Sequence, residues 1–340
     1  MIRMQIRRAR CGAGGGGATL LGMTNEAAAL RTYSYLGPAG TFTESALEQV
    51  PEARGQTWKP VSNVGEALGD VASGSSDAAM IAIENTVEGG VSSAQDALAD
   101  VPGLRIVGEY LVPVSFVLVA PRGVTLDQVT DVAAHPVAYA QCLKWLGQNV
   151  PGHAQVVAGS NVASAIGVLD GTLPAQAAIA APGVVGHYDV DVLAENIGDN
   201  HEAVTRFVLV TRTGAPPEPT GADKTSLIAE LPKEVAGALV EMLEQFATRG
   251  INLSLLQSRP IGDKLGRYRF VIDADGHITD ERMADALMGL KRFSPRVIFL
   301  GSYPRADRQI VQYSERYSDA SFAEARDWIR GLLSGEPAGE

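Results

Sequence analysis

The chain has 340 residues, 46% of them apolar, and a formal net charge of −11. That length supports two or three domains. The acidic balance, spread along the chain rather than gathered in a tail, argues against a nucleic-acid partner, which needs a basic face. No apolar run reaches the roughly 20 residues needed to span a bilayer, so no membrane association is expected. The two cysteines, Cys11 and Cys142, make neither a disulfide framework nor a metal cluster, so a cytoplasmic, reducing compartment is expected.

Residues 1–30 read as a disordered extension. Arg3, Arg7, Arg8 and Arg10 resemble a basic targeting region, but the stretch after them is too short and glycine-rich for a signal peptide. Gly12, Gly14 and Gly17 fit the G-x-G-x-x-G spacing without the preceding strand and following helix that a dinucleotide site requires. No cofactor is expected there, and Met23 is an alternative start.

Ordered structure is expected from Tyr33, with a strand to Leu36 running into Gly37-Pro38-Ala39-Gly40. Thr41 opens a helix, and Glu44 three residues later has the spacing of a capping box. Strands are predicted over Ala78–Ile83, Val112–Ala120, Asp131–Ala134, Ala177–Ala181 and Phe207–Thr211. Pro136 suits the first turn of a helix over Val137–Leu146. Alternating strands and helices predict α/β layers over 31–212 with largely parallel pairing.

Pro216, Pro217, Pro219, Gly214 and Gly221 mark 213–223 as a linker. The pattern then changes. A strand over Lys224–Leu231, an amphipathic helix over Val235–Thr248, strands over Ile251–Ile261 and Arg267–Ala274, a helix over Asp280–Phe293 and a strand over Val297–Ser302 follow. This βαββαβ order predicts a ferredoxin-like domain over 224–304. A tail over 305–340 should carry one short helix, near Phe322–Leu333.

Six segments together resemble the prephenate dehydratase family. They are Tyr35-Leu-Gly-Pro-Ala-Gly-Thr-Phe-Thr-Glu-Ser45, Ile83-Glu-Asn-Thr-Val-Glu-Gly89, His135-Pro136 with Gln141-Cys142, Ser160-Asn161, Ile197-Gly-Asp-Asn200 leading to Thr205-Arg206-Phe207, and the pair Gly237-Ala-Leu-Val240 and Gln257-Ser-Arg-Pro260. The resemblance spans Tyr33 to Pro304. It implies a two-lobed catalytic region with a periplasmic-binding-protein-like (type 2) fold, and a C-terminal ACT regulatory domain. The implied reaction turns prephenate into phenylpyruvate, with loss of carbon dioxide and water, in phenylalanine biosynthesis. The same chemistry on arogenate, or a non-catalytic two-lobed ligand sensor, are the alternatives. Three positions depart from the family pattern: Thr86 in place of Ser, Ala203 in place of Asn, and Gln257 in place of Glu.

Prephenate carries two carboxylates and a ring hydroxyl, so the enzyme must hold a dianion, help the hydroxyl leave and desolvate the departing carboxylate. The resemblance assigns assistance of the leaving hydroxyl to Thr205, by hydrogen-bond donation or a relay. Arg206 either binds a substrate carboxylate through a bidentate pair or makes a structural salt bridge, since its side chain points opposite Thr205 on a strand. Phe207 returns to the Thr205 face as an apolar wall or as core. Asn85 and Gln141 suit oriented hydrogen bonds, and Glu84 is either protonated or orients donors. Thr41, Ser160 and Asn161 lie at helix starts, where free N–H groups welcome anions and where hydroxyls also serve as ordinary caps. His135 reads as structural and Cys142 as a packed thiol. No metal site is apparent.

The resemblance further implies that L-phenylalanine binds the ACT domain as an allosteric effector. Gly237, Ala238 and Leu239, with Asn252 and Leu253, and with Gln257, Ser258, Arg259 and Pro260, would form that site at an interface between subunits of a homodimer or homotetramer.

Overall fold

The computed structural model describes residues 30–232, 235–262 and 266–335. The expected extension over 1–30, with its glycine pattern, Cys11 and Met23, lies outside them apart from Leu30.

The first lobe is built from β1 (Thr32–Leu36), α1 (Phe42–Glu48), β2 (Thr57–Val61), α2 (Val64–Ser73), β3 (Ala78–Asn85), the two-residue β4 (Gly89–Gly90), α3 (Ser92–Asp100) and β5 (Leu104–Pro113). The chain then crosses into a second lobe. That lobe holds β6 (Val117–Ala120), β7 (Asp131–Ala134), α4 (Pro136–Ala140), α5 (Leu143–Asn149), β8 (Ala154–Val157), α6 (Asn161–Leu169), β9 (Ala177–Ala180), α7 (Val184–His187) and β10 (Asp191–Ala194). It returns as β11 (Val204–Arg212), which enters the first sheet between β3 and β5. The sheet orders are β2-β1-β3-β11-β5, with β4 beside β3, and β10-β6-β9-β7-β8. The two-lobed α/β architecture implied by the resemblance is present.

Pairing is mixed rather than largely parallel. β1 runs parallel to β2 and β3, and β7 to β8 and β9. β11 runs against both β3 and β5, and β6 against both β9 and β10. The antiparallel strands flank the two crossovers, where the chain passes between lobes. The strand expected over Val112–Ala120 breaks there into β5 and β6. Val114 N donates to Ala203 O (2.7 Å), and Ile197 N donates to Phe116 O (3.0 Å), so outgoing and returning segments lie side by side.

The C-terminal part follows the predicted order: β12 (Asp223–Glu230), α8 (Ala238–Ala247), β13 (Leu253–Pro260), β14 (Tyr268–Asp275), α9 (Glu281–Phe293) and β15 (Val297–Pro304). Its antiparallel sheet, ordered β13-β14-β12-β15, is ferredoxin-like. One face packs Leu227, Ala229 and Ile272 against Met242 and Phe246 of α8 and Met283 and Leu290 of α9. The other face is not free. Ile228, Val271, Leu300 and Tyr303 join one cluster with Leu98, Ile106 and Val208 of the first lobe. Gly301 takes φ +149° where β15 meets β5, and a Cβ there would lie 2.2 Å from Ile106 O; only glycine permits that approach. The 213–223 linker therefore joins two units that share a core. In the tail, α10 spans Asp319–Ser334, longer than expected.

Candidate active site between the lobes

A cavity of about 280 Å³ opens between the lobes, lined by Gly37, Thr41, Phe42, Ala82, Asn85, Glu88, Ser160, Asn161, Thr205 and Phe207 among others. A second cavity of about 210 Å³ continues it past His135 and Gln141, sharing Phe42, Asn85, Glu88, Asn161 and Thr205. Both lobes contribute, and Phe42 meets Phe116 edge to face across the cleft at 6.0 Å. Among the described residues lining the two cavities there is no lysine or arginine. Nor do three His, Cys, Asp or Glu side chains of the described residues converge in a metal-holding group.

Thr205 is 8% exposed, at the start of β11 and opposite Asn85 of β3. Asn85 Nδ2 donates to Thr205 Oγ1 at 2.7 Å. The amide is fixed in that sense, because its Oδ1 accepts from Val87 N (2.8 Å) and Glu88 N (3.3 Å). Thr205 Oγ1 is thus an acceptor from Asn85, and its own proton is free to be donated elsewhere. Thr86, one of the three residues that depart from the family pattern, accepts from Val204 N through Oγ1 at 3.0 Å and holds the same strand start.

The register between β3 and β11 jumps here: Arg206 pairs with Glu84, and Phe207 with Ala82. Ile83 is the extra residue, a bulge that re-aims its neighbours. Ala82 and Asn85 then both line the cleft, while Ile83 turns into the opposite core. The bulge also decides Glu84 and Arg206. Neither lines the cleft; both lie on the far face of their strands. Arg206 donates to Glu84 (Nε, 3.0 Å), Glu109 (Nη1, 3.0 Å) and Asp273 (Nη2, 2.5 Å). Of the two readings left open for Arg206, the structure shows the salt bridge. Glu84 is its partner rather than a group facing a substrate. Burial alone would lower the Arg206 pKa, but Asp273, Tyr303, Glu109 and Glu84 hold it well above its ordinary value.

The helix starts behave as caps. Thr41 Oγ1 accepts from Glu44 N (3.3 Å) and donates to Leu36 O (3.0 Å). Glu44 Oε2 accepts from Gly40 N, one residue before the position a capping box would use. Ser160 Oγ accepts from Ala163 N at 3.0 Å. Asn161 opens α6 and lines the cleft, with its Oδ1 buried and without a hydrogen-bond partner.

Gln141 ends α4, and the helix expected over Val137–Leu146 breaks there because Asp199 intervenes. Its carboxylate accepts from Lys144 N (3.0 Å) and Trp145 N (3.2 Å), capping α5, while Asp199 N donates to Gln141 O (2.6 Å). His135 caps α4 through Nδ1, accepting from Val137 N at 3.4 Å. Cys142 is buried, and desolvation, with Asp199 nearby, pushes its thiol pKa from 9.0 to about 12. Phe42, Phe116 and Glu88 were not singled out in the sequence. Phe116 was hidden in the supposedly continuous strand, and Phe42 follows the Gly-Pro-Ala-Gly-Thr turn that delivers it.

The residues around the ACT-like motif do not all converge. Gly237 takes φ +91° before α8, with Leu239 exposed beside it. Asn252 Nδ2 donates to Asp275 Oδ2 at 2.8 Å, and Leu253 packs at the edge of the C-terminal core. Ser258 and Pro260 face outward on the edge strand β13. Gln257 and Arg259 turn the other way, onto α3. Gln95 Nε2 donates to Gln257 Oε1 (2.7 Å), and Arg259 grips Asp96 with two bonds (2.6 and 3.2 Å).

Fold and cleft define a two-lobed α/β enzyme whose interlobe cavity is lined by hydroxyls, amides and a helix start, and which carries a ferredoxin-like domain on its first lobe. The family model for prephenate dehydratase matches residues 33–215. A prephenate dehydratase of Amycolatopsis methanolica is 42% identical over 90% of this chain and 99% of its own length. That of Mycolicibacterium gilvum is 39% identical over 89% and 99%. The crystal structure of the Arthrobacter aurescens prephenate dehydratase in complex with L-Phe superposes with a TM-score of 0.86 at 52% identity, covering 89% of this chain and 99% of that one. A protein described as a novel type of quorum-quenching acylase superposes at 0.74 with 28% identity, over 82% and 100%. The chain belongs to the prephenate dehydratase family.

Proposed function

We propose that the protein converts prephenate to phenylpyruvate in the interlobe cleft, with Thr205 assisting the leaving hydroxyl. The observation that carries this reading is the Asn85–Thr205 hydrogen bond of 2.7 Å, whose direction leaves the threonine proton to be donated into the cavity. As the ring carboxylate leaves as carbon dioxide, its bonding electrons enter the ring. The ring's C–O bond breaks, and the departing hydroxide takes a proton through Thr205 and leaves as water. The proton given up by Thr205 is replaced from solvent. The Asn85 N–H stabilises negative charge that develops on Oγ1. Asn161, which lines both cavities, is read as a further amide contact to the substrate. The free N–H groups at the start of α6, with Ser160, Thr41 and Gln141 around the cleft, receive carboxylate charge that no lysine or arginine meets. Phe42, Phe116 and Phe207 exclude water from the departing carboxylate.

The ferredoxin-like unit reads as an ACT domain that binds L-phenylalanine near Gly237–Leu239, Asn252 and Leu253. Open space around Gly237, where a Cβ would meet nothing within 4 Å, supports backbone access to a zwitterion. The L-Phe complex of the Arthrobacter aurescens relative is in keeping with it. Ser258 and Pro260, on exposed β13, would border a second subunit, while Gln257 and Arg259 carry the contact to α3. The enzyme is read as a cytoplasmic homo-oligomer. Incubation of purified protein with prephenate and, separately, arogenate tests the substrate. Phenylpyruvate from prephenate is expected at the higher kcat/KM; turnover confined to arogenate would overturn this reading.

A further inference from the structure

Arg206 stands between Thr205 and Phe207, yet it touches nothing in the cleft. It is 6% exposed and donates to three carboxylates from three directions. Glu84 comes from the strand that carries Asn85, and Glu109 from β5 on the other side of β11. Asp273 comes from β14 of the C-terminal domain. Asp273 is 2% exposed and accepts a second short bond from Ser226 of β12, whose hydroxyl also contacts Tyr303 of β15 at 2.6 Å. Lys224 binds the same oxygen of Glu109 as Arg206 does, at 2.7 Å.

The location of this network matters more than its size. The bulge at Ile83 interrupts the regular ladder beside the Thr205–Asn85 pair, so backbone pairing alone holds that register weakly. The Arg206–Glu84 bond ties the same two strands one residue along from both members of the pair. Asp273 fixes the guanidinium from behind. We propose that Asp273, a residue of the C-terminal domain, is a positioning residue for Thr205, acting through Arg206. The C-terminal domain is then part of the device that aims the catalytic hydroxyl. This rests on the role assigned to Thr205 above.

The test is a double-mutant cycle with prephenate as substrate. Asp273→Asn in the wild-type background should lower kcat by about 10- to 10²-fold, the scale of a misplaced catalytic group, with KM changed less than threefold. In the Thr205→Ala background the same change should cost little, because there is no hydroxyl left to aim. Equal losses in both backgrounds would show a merely structural role and overturn the inference. Ser226→Ala, which keeps the ion pair and removes only the hydroxyl, is the milder variant should Asp273→Asn fail to fold. It should show a smaller loss with the same dependence on Thr205. Hydrogen–deuterium exchange over 83–86 and 204–207 gives a readout independent of turnover. It should quicken in the Asp273 or Ser226 variant, and unchanged exchange would overturn the inference even if the wild-type protein proved inactive on prephenate. That inactivity would itself refute the functional reading instead.

Discussion

At the scale of single residues, the site depends on which way one amide faces. Asn85 spends its oxygen on two backbone N–H groups and its nitrogen on Thr205. Asn85→Ala should therefore lower kcat by about 10², the cost of removing one preorganised donor, measured by steady-state kinetics with prephenate. Asn85→Asp should be at least as harmful, because a carboxylate would accept the threonine proton instead of leaving it for the substrate. Turnover near the wild-type rate in the Asn85→Asp enzyme would show that the direction of this bond is irrelevant. Cys142 makes a quieter prediction. With its thiol pushed up to about 12, it should resist iodoacetamide at pH 8 in the folded protein and react after denaturation. The motif residues were legible in the sequence because their order and spacing are a family pattern. The partners of Arg206 were not. They lie 122, 97 and 67 positions away, and strand alternation alone could say only that Arg206 faces away from Thr205.

At the scale of elements, periodicity found most strands, passed over β2, β8, β10, α2, α3 and α7, and missed the interruptions. The break in the helix after Pro136 comes from Asp199, which supplies both a backbone donor to Gln141 and a carboxylate cap to α5. No local signal near Gln141 announces a partner that distant in sequence. Asp199→Ala should cost about 1 kcal/mol through the lost cap. It should lower Tm by a few degrees and change kcat and KM little, since the alanine keeps the backbone N–H that holds Gln141. An unchanged Tm would mean the cap contributes nothing. The split of Val112–Ala120 into β5 and β6 has a similar origin. The residues are apolar throughout, but the chain leaves one sheet and enters another where Ala203 and Ile197 run alongside.

At the scale of the whole molecule, linker composition suggested two separable parts, whereas the cores are joined. Ending the chain at Thr213 would strip Ile228, Val271, Leu300 and Tyr303 from the cluster that includes Ile106 and Val208, and would leave Arg206 without Asp273. Such a truncated protein should be markedly less soluble or unfold at a lower temperature than the full chain. An equally stable truncated protein would contradict the shared core. Alkaline pH is a second global lever. Burial raises Cys142 from 9.0, and Tyr35 and Tyr110 from 10.0, each to about 12. Folding therefore favours the protonated forms. The unfolded chain releases these protons from about pH 9 upward while the folded chain keeps them, so their contribution is complete below pH 9 and is lost as pH rises towards 12. Melting temperature should fall steadily across that window, and a flat profile to pH 11 would contradict the burial of all three. The central claim, that Thr205 assists loss of the hydroxyl from prephenate, is tested most directly by one comparison. Phenylpyruvate formation is measured for wild type, Thr205→Ser and Thr205→Ala at saturating prephenate. The alanine variant should have a kcat at least about 10² lower, with unchanged melting temperature, and the serine variant a much milder loss. Near-wild-type turnover by Thr205→Ala would contradict the claim.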